Sequence, residues 1–224
     1  MSGPTEEHTA EPATPNRGYR LVVPKEWRKI PVQRGTDQAV KALLDEAFAK
    51  YGRDQVVQYR RELESRLRGM IGQARQNAGV DLYLPFGRAE RNLPASFLIS
   101  YAEFGKPDAP DQRQVMAEVL AQSPGGESTE LDGTPAVRTE RTYAADAARG
   151  VDYPSRRVEY VLPVPGTPDS WLVASFSTFG AGDPDDPTAR LLCAPFDAIM
   201  TTFRWHTREA GPSGPTGAAH EEDA

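Results

Sequence analysis

The chain has 224 residues, of which 38% are hydrophobic, with a mean hydropathy of −0.57 and a formal charge of −6. That charge sits at the ends: residues 1–16 carry −3 through Glu6, Glu7 and Glu11, residues 207–224 carry −3 through Arg208 against Glu209, Glu221, Glu222 and Asp223, and the middle is neutral. A neutral body excludes any global drive toward nucleic acid or an anionic membrane, the single Cys193 excludes an intrachain disulfide or a thiolate metal cluster, and no apolar run approaches the ~20 residues of a membrane span.

Residues 1–16 are Pro, Thr, Glu and Ala with nothing to bury, and read as a disordered acidic tail. The first eight residues lack the basic-then-apolar pattern of a secretory signal and hold no cysteine to lipidate, so a cytoplasmic location is expected. Residues 17–206 are expected to form a single α+β domain. A Gly/Pro-rich acidic tail, 207–224, follows it, with Gly211-Pro212-Ser213-Gly214-Pro215 near its start.

Within the domain, 19–24 reads as a first strand, Lys25-Glu26-Trp27 as a turn with an anchoring Trp, and 29–32 as a second strand. Pro31 assigns the second strand to a sheet edge, because proline cannot donate to a central ladder. Thr36 or Asp37 can cap a helix over 37–50 with Val40, Leu43, Leu44, Ala47 and Phe48 on one side. Gly52 ends it and Asp54 can cap a long helix over 55–77, whose inward stripe is Val56, Leu63, Leu67, Met70, Ile71 and Ala74, with Gly79 as the stop. Its outer face carries Arg60, Arg61, Arg66, Arg68 and Arg75 among Glu62 and Glu64.

Two strands come next, 80–86 and 97–104, joined by a loop holding Arg88, Glu90 and Arg91. A short helix around 111–122 with Val115, Val119 and Leu120 is broken by Pro124-Gly125-Gly126. A meander of three strands follows, 136–143, 156–165 and 171–178, with turns at Asp152-Tyr153-Pro154 and Pro165-Gly166-Thr167-Pro168. The period of two in Val158, Tyr160, Leu162 and Val164, with Arg157 and Glu159 interposed, predicts an antiparallel sheet with one wet face. Asp186 and Pro187 open a last helix reaching Trp205, with Leu192, Phe196, Ile199 and Phe203 as its stripe, and Pro195 should bend it or break it in two.

No reactive constellation stands out. His8 and His220 lie in the tails, which leaves His206 alone at the end of the last helix, a position where a cation serves the helix dipole or solvent. Cys193 has apolar neighbours and reads as buried filler rather than a reactive thiol. Asp183-Pro184-Asp185-Asp186 fits a turn and a helix cap better than a calcium loop, which requires a different ligand spacing. No G-x-G-x-x-G or P-loop pattern occurs. The acids Glu103, Glu140, Asp152 and Glu159 lie on or beside strands and could form an acid/base pair, but Arg138, Arg141, Arg156 and Arg157 make cross-strand ion pairs an equal account. No catalytic, metal-ligating or cofactor-binding residue is therefore assigned, and no cofactor is expected. The candidate partner contacts are Arg60, Arg61 and Arg68 on the long helix, and Arg157 and Glu159 on a strand.

The order strand, Trp turn, strand, two helices, two strands, helix, three strands, helix carries a resemblance. With Tyr19-Arg20-Leu21-Val22-Val23-Pro24-Lys25-Glu26-Trp27 at the front and Phe196-Asp197-Ala198-Ile199-Met200-Thr201-Thr202-Phe203-Arg204-Trp205 at the back, the chain resembles actinobacterial proteins of the Mog1/PsbP-like fold. LpqN-type lipoproteins and Eag-type (DcrB-related) secretion chaperones are relatives by fold. The resemblance covers about 17–206 and implies six to seven antiparallel strands packed by helices, with an open face or edge offered to a protein. The expectation is a non-enzymatic interaction module, an adaptor or a secretion or assembly chaperone. Its partner would be a protein, for instance a component of a secretion or injection system. A small-ligand-binding domain lined by Tyr83, Tyr101, Tyr160 and Trp171 is the second reading, and a carboxylate-dependent enzyme the third.

Overall fold

The computed structural model describes residues 17–86, 94–103, 111–146, 153–180 and 182–207. Both tails except Thr207, the loop with Arg88, Glu90 and Arg91, and the candidate acid Asp152 lie outside the described residues.

Among the described residues, nine strands and four helices follow one another as β1 (Arg17–Arg20), β2 (Trp27–Pro31), α1 (Thr36–Phe48), α2 (Arg53–Gln76), β3 (Gly79–Pro85), β4 (Ala95–Glu103), α3 (Gln112–Ala121), β5 (Glu127–Leu131), β6 (Thr134–Tyr143), β7 (Ser155–Pro163), β8 (Ser170–Thr178), α4 (Pro187–Thr201) and β9 (Arg204–Thr207). Seven strands form one antiparallel sheet in the order β2-β3-β4-β8-β7-β6-β5, and β1 pairs with β9 in a separate two-stranded ribbon. The α+β class and the antiparallel sheet are thus as the sequence predicts, and Pro31 does lie on an edge strand.

Two cores share the sheet, one on each face, because β3 is apolar on both sides. Leu82 and Leu84 join Ile30, Val40, Leu43, Leu44, Leu67, Ile71 and Ala74 beneath α1 and α2. Tyr83 points the other way and joins Phe97, Phe176, Tyr160, Phe196, Met200 and Phe203 beneath α4. The rings there interlock: Phe196 lies 5.1 Å from Phe176, 5.6 Å from Phe97 and 5.8 Å from Tyr160, centroid to centroid. Such offset and edge-on pairs add to the burial of apolar area.

Several elements differ from the sequence reading. The first two strands do not form a hairpin: β1 ends at Arg20 and reaches across the chain to β9, Tyr19 opposite Trp205. Trp27 begins β2 rather than occupying a turn. Neither Thr36 nor Asp37 caps α1. The cap is Gly35 in the left-handed region (φ 76°), and the Thr36 hydroxyl instead donates back to the carbonyls of Pro31 and Val32. The helix α2 starts at Arg53, so Asp54 is inside it, and Met70 stays exposed while Leu67, Ile71 and Ala74 are buried. The strand β5 went unpredicted, and so did β9: α4 stops at Thr201, which puts Phe203 and His206 beyond the helix. Pro195 does not divide α4. Its missing N–H would have served the carbonyl of Leu191, and Leu191 is 71% exposed, on the side where water can take that bond.

Gly79 opens β3 rather than stopping α2, and the need for glycine is one of contact. A Cβ there would lie 2.6 Å from the Ala74 carbonyl oxygen and 2.9 Å from Leu98 Cδ1. Because the first obstacle is backbone, Gly79→Ala is expected to cost about 1–3 kcal/mol by overpacking, measured as a lower urea midpoint at unchanged slope.

Candidate functional site

The alternation along β6 and β7 sends neighbouring residues to opposite faces, which divides their charges between two environments. On the α4 face, Arg138 makes a fork-to-fork pair with Asp197 of α4, Nε to Oδ1 and Nη2 to Oδ2, both 2.9 Å, and also reaches Glu140 at 2.9 Å. Arg156 donates to Glu140 at 2.6 Å, to Asp185 at 2.7 Å and to the carbonyl of Pro184 at 2.7 Å. The Tyr160 hydroxyl completes the set by donating to Asp197 at 2.7 Å. Its hydrogen bonds to the Asp197 carboxylate hold the Arg138 guanidinium firmly protonated. Burial pushes the Glu140 carboxyl upward, but the bonds from Arg138 and Arg156 outweigh it and leave it below the usual carboxylate range. Every member is paired, so this network fastens α4 to the sheet. Cys193 sits beside it, buried, with its thiol pushed up to about 11 by burial and by the charge of Glu140, which keeps it protonated and unreactive at neutral pH.

A second polar cluster lies under β1. The Tyr19 hydroxyl donates to Asp81 and lies 3.0 Å from the Tyr83 hydroxyl, while Lys29 pairs with Asp81 at 2.8 Å. Burial raises both phenols, Tyr83 to about 12 and Tyr19 well beyond its usual value. The buried Asp81 carboxylate is thereby satisfied from two sides.

The opposite face of the sheet is built differently. There α1 lies over β2 and α2 over β3, and α3 packs on β6, pinned by Gln112 to the carbonyls of Thr167 and Pro168 and by Arg141 to Gln122 and Ser123. Between α2 and α3 the strands β4, β8 and β7 carry no helix among the described residues. Ser96, Leu98, Ser100, Val173, Ser175, Ser177, Arg157 and Glu159 form this floor and are half-exposed, whereas residues that alternate with them, such as Phe97, Ile99, Ala174, Phe176 and Val158, are buried. At the ordinary strand spacing the open floor is about 10 Å across.

Both walls of this trough show uncovered apolar surface. On α2, Arg60 and Arg68 turn toward α1 and pair with Asp45 and Asp37, so Tyr59, Leu63 and Met70 fall on the flank away from α1. Tyr59 is 67% and Met70 36% exposed. On α3, Val115, Met116, Val119 and Leu120 are only half-buried, and no residue of that helix is fully buried. The floor is wet, as the sequence predicts, while Val137, Val161 and Trp171 on the same face are buried at its far end.

The structure divides the five candidate contacts. Arg60 and Arg68 are used internally, joining α2 to α1, and Arg61 is exposed without an ion partner among the described residues. Arg157 and Glu159 lie in the trough floor, with Ser175 Oγ donating to Glu159 at 3.0 Å. The proposed ligand-lining residues do not meet: Tyr83, Tyr101 and Tyr160 face α4 or the β1–β9 ribbon, and Trp171 points to the other side of the sheet. Nor do Glu140 and Glu159 share a pocket, since they too occupy opposite faces. His206 stands in β9 with its ring over Gly18, not at a helix end. Asp183, Asp185 and Asp186 respectively close a turn, pair with Arg156 and cap α4. Among the described residues no three His, Cys, Asp or Glu side chains gather as a metal site would require, and no helix is long and apolar enough to cross a membrane.

No protein-family model matches the chain, and no curated protein matches it by sequence. Among solved structures it is similar to that of LpqN, described as involved in cell envelope biogenesis of Mycobacterium tuberculosis. The identity is 12%, over 88% of this chain and 87% of that one, with a TM-score of 0.47.

Proposed function

We propose that the chain is a non-enzymatic protein-interaction module, an adaptor or a secretion or assembly chaperone, that receives a segment of its partner in the trough between α2 and α3. The observation that carries this reading is the unfinished helix layer. Among the described residues, the sheet over β4, β8 and β7 lacks the cover that α1, α2 and α3 give its flanks, and both bordering helices carry partly exposed apolar side chains. An uncovered strip with apolar walls and a polar floor is what a protein partner completes. The floor is about 10 Å wide, room for a single helix or extended segment. A cytoplasmic setting goes with the reading, and the buried, reduced Cys193 makes no demand for an oxidising one.

The test is photo-crosslinking in the native cell, with a benzophenone amino acid placed at Val173 in the trough floor or at Leu191 on the outer side of α4. A discrete crosslinked protein from Val173 that is absent from Leu191 is expected. No product from Val173, or the same products from both positions, would overturn the reading.

A further inference from the structure

We infer that Arg157 is the trough's recognition point and that it takes a carboxylate, from an Asp or Glu side chain of the bound protein segment. This rests on the trough being the partner face. Arg156 and Arg157 are consecutive residues of one strand with opposite fates. Arg156 has all its hydrogen bonds within the chain. Among the described residues the Arg157 Nε–H is buried with no hydrogen-bond acceptor, and the ion partner of the side chain, Glu159, stands at 3.8 Å, beyond hydrogen-bonding reach. A buried donor left unmade is costly, and here the group is also held in position, its guanidinium lying 4.6 Å from the centre of the Tyr143 ring. The neighbouring side chains are otherwise engaged: Glu159 accepts from Ser175, and Arg141, directly across on β6, donates to Gln122 and Ser123.

The surroundings select the anion. Arg141, Arg157 and Glu159 together leave one positive charge in this part of the floor, which matches a carboxylate rather than a phosphate dianion. Ser177 lies directly across from Arg157, and Ser96 directly across from Ser177, so two serines extend one cross-strand row from Arg157 over the open floor. A carboxylate entering there would accept from Arg157, with Ser177 as second donor, while the flanking residues of its segment meet Tyr59, Leu63 and Met70 on the wall.

The experiment selects peptides from a phage-displayed random library on the full chain and measures the affinity of the enriched peptides. Enriched peptides should share an Asp or Glu beside apolar residues. Replacing that acid by its amide, or making Arg157→Gln in the chain, should weaken binding about tenfold to a hundredfold. Arg157→Lys should not restore it, because lysine keeps the charge and loses the planar two-donor fork, while Arg190→Gln, exposed on α4 across the sheet, should leave binding unchanged. The free Arg157→Gln chain should melt within about 4 °C of the wild type, since Nε–H has no internal acceptor to lose; a larger fall would mark a structural residue and overturn the inference. Binding abolished by Ser100→Trp or Met70→Glu but indifferent to Arg157→Gln would overturn the carboxylate assignment and leave the trough reading standing. Binding indifferent to all three, or no enrichment beyond that on Arg157→Gln, would overturn the inference, the former overturning the trough as well. Two further outcomes count against it: competition by inorganic phosphate but not acetate, and tighter peptide binding when Glu221, Glu222 and Asp223 are neutralised, which would make the chain's own end the occupant.

Discussion

Phe196→Ala is expected to destabilise the protein by about 3–5 kcal/mol, the range for removing an aromatic ring from a filled core. The side chain is almost wholly buried and its ring touches those of Phe97, Phe176 and Tyr160, which belong to three different strands. The void could not close easily, because Phe97 is itself stacked on Tyr83 at 4.2 Å and packed on Trp27 at 5.2 Å. Phe196→Leu keeps most of the volume and should lose clearly less. Urea unfolding followed by tryptophan fluorescence would measure both. A loss below about 1.5 kcal/mol for the alanine variant, the scale of a mere change of shape, would mean that α4 is not seated as described.

Arg156→Ala is expected to cost about 3–5 kcal/mol, because it removes a buried guanidinium and strips a donor from the partly buried Glu140 carboxylate rather than merely deleting a surface contact. Glu140 would lose one of its two arginine donors, and Asp185 and the Pro184 carbonyl would lose theirs. The pH dependence gives a second readout. Glu140 is held below the ordinary carboxylate range in the folded chain, so the unfolded chain takes up the proton first as pH falls. Its contribution is complete above the unfolded value of about 4.3 and is lost as pH drops through the folded one. Removing Arg156 lets the Glu140 pKa rise, so the variant should lose less additional stability between about pH 5 and pH 3 than the wild type does. Glu140→Gln should flatten the same region. A wild-type curve that is already flat there would contradict the network's electrostatic role.

What the sequence made legible was local. The α4 cap at Asp186 with Pro187 behind it, the edge position of Pro31 and the period-two pattern of β7 each depend on a few adjacent residues, and the structure has them as read. The hairpin of β5 and β6 does carry a local signal, Asp132-Gly133, whose φ values of 50° and 72° are those a tight two-residue turn demands. The strand β9 left none. Phe203 follows Ile199 by four residues and continues the helical stripe, and β9's partner β1 lies at the other end of the domain, out of reach of any local pattern. The candidate site was half-legible for a related reason. Alternation places Arg156 and Arg157 on opposite faces, but which face a helix covers depends on where α3 and α4 land. That Arg60 and Arg68 pair with Asp45 and Asp37 could not be read locally, because those acids belong to a separate helix.

The β1–β9 ribbon brings Arg17 beside Thr207, so the two ends of the described chain lie together on the side of the sheet away from the trough. A fluorescent protein or surface tether joined directly at Arg17 or Thr207 would therefore leave the trough unobstructed. Splicing the ends through a short linker and opening the chain between α1 and α2 should preserve the architecture, a rearrangement that proteins tolerate when their termini adjoin.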